Sequence, residues 1–273
     1  MKAKKLLGIS LSVLLTLGAA GCSSKPAEKE AAKSGDDKVI VVGATPNPHA
    51  EILEQLKPVL KEKGYELQVK VFNDYVIPNT ALSEGSLDAN YFQHIPYLEE
   101  TVKEKGYKLT SVAKIHLEPL GLYSKELKDV KNLKDGATIA IPNDATNMAR
   151  ALKLLADNGV LKVKDAELIT KNDITENPKK IVIKELNAEQ LATVLQDVDA
   201  AVINTNYALT AKLNPTKDAL ILEAKDSPYS NVIATREDNK DSEKIKALVE
   251  AIQSDQIKKF IEEKYEGCII PSF

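Results

Sequence analysis

Two side chains stand out by their scarcity. Of 37 basic residues, all but Arg150 and Arg236 are lysine. A chain that uses lysine for bulk surface charge keeps arginine where a planar fork of donors matters, as against a carboxylate. Arg150 falls about one turn into the helix expected after IPNDATN, so its guanidinium and the free N–H groups of the helix start could converge on an anion there; a surface ion pair is the alternative. Arg236, followed by Glu237 and Asp238, reads as a surface pair. Asparagines gather at comparable places: Asn143 and Asn147 in the same loop, Asn204 and Asn206 in INTNYA, Asn231 in SPYSNV. An amide both donates and accepts, which suits a ligand carrying ammonium and carboxylate together. Any one of them could instead be a helix cap or turn residue.

The stretch DANYFQHIPY, residues 88–97, holds three aromatics and one of only three histidines in a chain with no tryptophan. A core helix would want aliphatics here, so the segment reads as a contact surface, with a plain packing cluster as the alternative. His49, His94 and His116 lie far apart, and none has a second His or Cys at metal-ligand spacing. A metal site would need the fold to gather all three, and none is expected. No G-x-G-x-x-G, P-loop, G-x-S-x-G or H-E-x-x-H occurs, so the sequence offers no catalytic residue and calls for no cofactor.

The elements that must position these groups follow from hydrophobic spacing. KVIVVG is a β-branched run, then comes the turn-like ATPNP, then the amphipathic HAEILEQLKPVLKEKG: strand, loop, helix. LQVKVF alternates as a strand; NTALSEG and IPYLEETVKEKG read as helices closed by glycine. KLTSVAKIHLEPLGLYS contains two strands, and ATIAIPNDATNMARALKLLADNGVL repeats the opening plan of strand, loop and helix. IVIKEL, a helical AEQLATVLQ, DAAVIN, a helix TNYALTAKL, the strands ALILEA and NVIATR, and one last helix from about Ser242 to Tyr265 complete the chain. Alternation of this kind predicts α/β architecture with mostly parallel sheets. Two separate openings, at Val39 and Thr138, predict two lobes: 38–122 with 225–273, and 123–224, joined by two crossing strands, with a ligand in the cleft between them.

The N-terminus carries Lys2, Lys4 and Lys5, then LLGISLSVLLTLGAAG, then Cys22. This reads as a signal peptide over 1–21, too short for a comfortable membrane span. Ala19-Ala20-Gly21-Cys22 resembles a bacterial lipobox, with Ala19 where a leucine-like residue is usual; an ordinary secretory signal is the alternative. Residues 22–37 contain no bulky apolar side chain and read as a flexible tether. A diacylated Cys22 would then hold the protein on the extracytoplasmic face of the cell membrane. Without the three leader lysines the chain has 34 basic (37 less 3) against 40 acidic residues, a balance that argues against nucleic acid. Cys268 is the only other cysteine, which excludes a disulfide framework and leaves it as a small apolar filler.

DANYFQHIPYL, HLEPLGLYS, IPNDATNMARAL, INTNYA, SPYSNVIATR and KFIEEKYEGCIIPSF together resemble the methionine-binding lipoproteins of the NlpA type, solute-binding components of bacterial ABC importers. The likeness covers nearly the whole chain after the leader and departs at Cys268 and in the lipobox. It implies a two-lobed periplasmic-binding-protein-like fold of type II. It implies that Arg150 pairs with the carboxylate of methionine, L- and also D-, and that Asn206 and Asn231, helped by Asn147 and beside Asn204, hold the amino group. Tyr75, Tyr91, Phe92, His94 and His116 would wall the side-chain pocket, where rings pack around a thioether. The implied partners are an ABC permease and ATPase, with the binding protein itself a monomer. A methionine-containing dipeptide or another apolar amino acid is the rival ligand. The rival class is an enzyme using His94 or His116 as general base.

Overall fold

β-Branched runs become strands and apolar residues at helical spacing become the helices that cover them; the computed structural model describes residues 36–225 and 227–273 in these terms. The leader, Cys22 and nearly all of the tether lie outside the described residues. The chain opens with strand β1, Val39–Ala44, and helices α1, Glu51–Glu54, and α2, Lys57–Glu62. The single helix expected over HAEILEQLKPVLKEKG is thus split at Gln55 and Leu56, because Pro58 has no N–H for the ladder and is accommodated in the first turn of α2. Strand β2, Glu66–Val71, helix α3, Ile77–Ser83, strand β3, Ala89–His94, and helix α4, Ile95–Lys105, follow. Gly106 ends α4 at φ 70°, the left-handed turn that glycine adopts without strain.

Strand β4, Leu109–Leu117, leads to β5, Gly121–Tyr123, and then to β6, Thr138–Pro142, and α5, Ala145–Asp157. A small hairpin of β7, Lys162–Val163, and β8, Ile174–Glu176, precedes β9, Val182–Leu186. The stretch AEQLATVLQ forms two 3-10 turns, Ala188–Gln190 and Val194–Gln196, rather than an α-helix. Strand β10, Ala200–Ile203, helices α6, Thr205–Thr210, and α7, Pro215–Asp218, and strand β11, Ile221–Leu222, complete this part. The chain returns through β12, Ser230–Arg236, to helices α8, Glu243–Ile252, and α9, Asp255–Tyr265, and strand β13, Ile270–Pro271. The long terminal helix expected from Ser242 breaks at Ser254, whose extended backbone starts α9 afresh.

The strands make two main sheets, ordered β13-β4-β12-β3-β1-β2 and β11-β5-β10-β6-β9. In each, one strand that leads through a loop into a helix lies between two parallel partners: β2-β1-β3 in one sheet and β9-β6-β10 in the other. The sheets are more mixed than expected, with β12 antiparallel to β3 and β4, and β5 antiparallel to β10 and β11. These are the two strands that arrive from the other lobe without a helical crossover, and a strand lacking that crossover enters reversed. Apolar clusters cover both faces: Ile40, Val42, Leu53, Leu60, Leu248 and Ile261 on one side of the first sheet, Leu82, Leu98 and Val232 on the other. Ile139, Ile141, Leu152 and Leu155 pack the second lobe on α5. Cys268 is buried in the first of these clusters.

The chain crosses between lobes at residues 118–120 and again between Leu222 and Ser230. Gly121 and Leu122, expected in the first lobe, pair with β10 and β11 in the second sheet, since Pro119 cannot donate to a ladder and ends the strand before them. The C-terminal ends of β1, β3, β6 and β10 are Ala44, His94, Pro142 and Ile203. In open α/β sheets ligands bind beyond such strand ends, where the order of strands reverses. Among the described residues no helix is long and apolar enough to cross a membrane.

Candidate ligand-binding site between the lobes

Helix α5 carries the densest set of candidate groups. Asp144 caps it, accepting from the Asn147 backbone N–H at 2.9 Å and from Asn147 Nδ2 at 3.1 Å through both carboxylate oxygens. With its amide nitrogen held there, Asn147 must present Oδ1 away from the cap. That oxygen accepts from His94 Nε2 at 3.1 Å and from Asn204 Nδ2 at 2.9 Å. Arg150, three residues on, shares the helix face and is 3% exposed.

Tyr75, Phe92, His94, Asn147, Arg150, Asn204 and Asn231, all predicted from sequence, line one cavity. Gln93, Tyr97, Glu118 and Thr205 line it too. Tyr75, Phe92 and Tyr97 form an aromatic wall with ring centroids 5.8–6.0 Å apart. The lobes meet across it: Tyr75 donates to Asn206 Oδ1 at 2.5 Å, Tyr207 donates to the Asn73 carbonyl at 3.1 Å, and His94 reaches Asn147.

Three predicted residues do not line the cavity. Tyr91 and His116 are fully buried behind it, because Tyr91 points to the face of the first sheet that packs on α1 and α9. Asn206 spends its side chain on Tyr75. Tyr91 and His116 instead build a support for Glu118. The hydroxyl of Tyr91 bonds His116 Nδ1, and His116 Nε2 donates to Glu118 Oε1 at 2.8 Å. On the other side Thr45 bonds His49 Nδ1 at 2.7 Å, while His49 Nε2 lies 3.1 Å from Asn231 Oδ1 and 3.2 Å from Glu118 Oε1. The Asn206 backbone N–H donates to Glu118 Oε2 at 3.1 Å. Glu118 was present in HLEPLGLYS, but a glutamate beside proline reads as exposed, and burial of a carboxylate shows only once its donors are placed.

The same groups answer the metal question differently from the sequence. Two of the three histidines do converge: His49, His116 and Glu118 offer ligand atoms within 4.8 Å of one another, the one such group among the described residues. Each of these atoms is already engaged in the hydrogen-bond network above, which satisfies the set without an ion. His94 stands apart on Asn147.

Electrostatics sharpens the assignment of protons. Burial pulls His49 down to about 4 against the opposing pull of Glu118. Burial, then the Arg150 charge, pulls His94 down to about 3. Both rings are therefore neutral near pH 7. Burial pushes Glu118 upward, but the two histidines and the Asn206 amide outweigh it and hold its carboxyl below the usual range. His94 donates from Nε2 and accepts the Tyr97 N–H at Nδ1, so neither of its nitrogens offers a free lone pair to the cavity. His116 is outside the cavity altogether. Both ring nitrogens of His94 and of His116 are thus engaged in hydrogen bonds within the protein.

Arg150 is not a surface pair, nor is its fork empty. Nε and Nη2 donate to Glu223 at 2.8 and 2.5 Å, Nη2 also donates to the Glu118 carbonyl at 2.7 Å, and Tyr229 lies under the guanidinium at 4.2 Å. Nη1 has no hydrogen bond among the described residues. Arg236 pairs with Asp238 as expected and also donates to the Leu82 and Leu87 carbonyls.

The sequence model of the NlpA lipoprotein family matches residues 40–273. The chain belongs to that family. Among NlpA relatives, the methionine-binding lipoprotein MetQ of Bacillus subtilis is 47% identical over 94% of this chain and 96% of its own. A nutrient-binding protein of Burkholderia cenocepacia, solved bound to methionine, is 50% identical, superimposes with a TM-score of 0.84, and covers 86% of this chain and all of its own. A periplasmic substrate-binding protein of an ABC transporter from Coxiella burnetii is 43% identical, with a TM-score of 0.82, and covers 85% of this chain and all of its own. The NlpA fold is thus the two-lobed binding-protein fold, consistent with the two sheets described above.

Proposed function

We propose that this protein captures methionine between its lobes and delivers it to the permease and ATPase of an ABC importer, working as a lipoprotein tethered through Cys22 on the extracytoplasmic face of the membrane. The observation that carries the reading is the cavity's lining, which brings one guanidinium, one carboxylate and several amides together with the aromatic rings of Tyr75, Phe92 and Tyr97. A zwitterion with an apolar tail matches that combination. Arg150, through Nη1, takes the carboxylate; Tyr75, Phe92, His94 and Tyr97 surround the thioether, each sulfur–ring contact worth about 0.3–1.5 kcal/mol.

Methionine has about nine non-hydrogen atoms, and a ceiling of about 1.5 kcal/mol per atom permits affinities near nanomolar. No bond in the ligand has to change. Calorimetry with L-methionine, D-methionine, a methionine dipeptide and leucine tests the reading. One-to-one binding of methionine, tighter than leucine and with no heat from the dipeptide, is the expected result. Dipeptide binding with none of free methionine would overturn it.

A further inference from the structure

Two tyrosine hydroxyls cross between the lobes in opposite directions. Tyr75, of the first lobe, donates to Asn206 Oδ1 at 2.5 Å, and Tyr207, in the first turn of α6 in the second lobe, donates to the Asn73 carbonyl at 3.1 Å. Their rings pack 5.0 Å apart at 38°, within the usual range for an aromatic pair. Tyr75 therefore has ring neighbours from both lobes: Phe92 and Tyr97 of its own, at 5.8 and 5.9 Å, and Tyr207 of the other. Tyr75 lines the cavity, whereas Asn73 and Tyr207 are not among the residues that line it.

Each end of this contact is anchored in its own lobe. In the loop that carries Asn73 and Tyr75, the Phe72 N–H donates to the Ala44 carbonyl at 2.9 Å, Asp74 Oδ1 accepts the Val76 and Ile77 N–H groups at 2.8 Å each, and the Tyr97 hydroxyl donates to the Tyr75 carbonyl at 3.0 Å. Tyr207 is buried in the apolar cluster of the second lobe with Leu191, Ile203 and Ala208. Burial raises both phenols above their ordinary pKa, so both hydroxyls remain donors near neutral pH. Neither end yields easily within its lobe, and parting the lobes breaks both hydrogen bonds and the ring contact between them.

We infer that Tyr207 is a closure latch, a positioning residue that sets how long a ligand stays in the cavity without itself lining it. This rests on reading the cavity as a methionine site. A ligand surrounded by residues from both lobes leaves when the lobes part, and opening of this kind limits release in many enzymes. The Tyr207 hydroxyl and ring favour the closed arrangement alone, since their partners Asn73 and Tyr75 belong to the other lobe. Such a contact acts on the dissociation rate, where most affinity differences among variants of one interface arise. It acts alike on every ligand the cavity takes.

Stopped-flow measurement of methionine association and dissociation on wild type, Tyr207→Phe and Tyr207→Ala is the test, with norleucine, the sulfur-free isostere, as second ligand. Tyr207→Phe keeps the ring and loses one neutral hydrogen bond, so methionine should leave about two- to tenfold faster. Tyr207→Ala loses the ring contact as well and should release methionine at least about tenfold faster than wild type. Association should be no slower than in wild type, and the preference for methionine over norleucine should stay within about twofold. Faster dissociation in Tyr207→Ala alone assigns the latch to the ring. Slower association in Tyr207→Phe, or a preference changed by more than about tenfold, would mean that Tyr207 shapes the site itself and overturns the inference. Unchanged dissociation in both variants overturns it too and leaves the methionine reading standing, whereas a wild type that binds no methionine overturns both. Should Tyr207→Ala not fold, Tyr207→Phe decides alone.

Discussion

Arg150 shows how much a single guanidinium is asked to do. It bonds the Glu223 carboxylate twice, the Glu118 carbonyl once, and lies over the Tyr229 ring, with Nη1 making no hydrogen bond among the described residues. Lysine keeps the charge but offers a point ammonium that cannot reproduce a planar fork. Arg150→Lys is therefore expected to weaken methionine binding by at least tenfold, about 1.4 kcal/mol, and to lower the ligand-free thermal midpoint. Calorimetry giving wild-type affinity in that variant would remove the guanidinium from the site.

At the level of elements, the two chain crossings are tied to α5 by the same bonds. Glu118 belongs to the first crossing, and Glu223, which follows β11 into the second, also accepts the Leu120 N–H at 3.3 Å. The Arg150–Glu223 pair is 3% and 13% exposed, so removing one charge leaves the other buried without compensation. Glu223→Gln should lower the ligand-free thermal midpoint. It should also enlarge the upward shift that methionine produces, because the ligand carboxylate then supplies the missing negative charge. Thermal melts with and without saturating methionine read both effects; a methionine shift no larger than that of wild type would mean that Glu223 does not compete with the ligand for Arg150.

For the molecule as a whole, the buried histidines set how stability follows pH. In the unfolded chain a histidine takes up a proton near pH 6.5, whereas folded His49 and His94 stay neutral down to about 4 and about 3. The unfolded state therefore binds more protons below pH 6.5. The stability is fully present above that value and is lost as pH falls toward 4, on the order of 1.4 kcal/mol per pH unit for each ring. Glu118, held below its usual 4.5, adds stability that is present above that value and is lost only at lower pH. Urea unfolding at pH 7, 6 and 5 should show this decline, and His94→Gln should make it shallower by one proton's worth. An unchanged slope in His94→Gln would show that His94 is not held neutral in the fold.

Local spacing carried much of this molecule. The two strand-loop-helix openings at β1 and β6 were legible because β-branched runs and the 3.6-residue period are properties of neighbouring residues. Part of the cavity's lining was legible as well: Asn147 and Asn204 from their places at a helix start and a strand end, Phe92 and His94 from an aromatic stretch out of keeping with the rest of the chain. Tertiary structure alone decided where charges pair. Glu223 reaches Arg150 from 73 residues away and His49 reaches Asn231 from 182, separations at which sequence spacing carries no distance information. It also decided which face each strand residue takes: Tyr91 and Phe92 are adjacent, yet one supports Glu118 from behind and the other lines the cavity. A strand turns successive side chains to opposite faces, and which face becomes the cleft is settled only when the second lobe closes over the first.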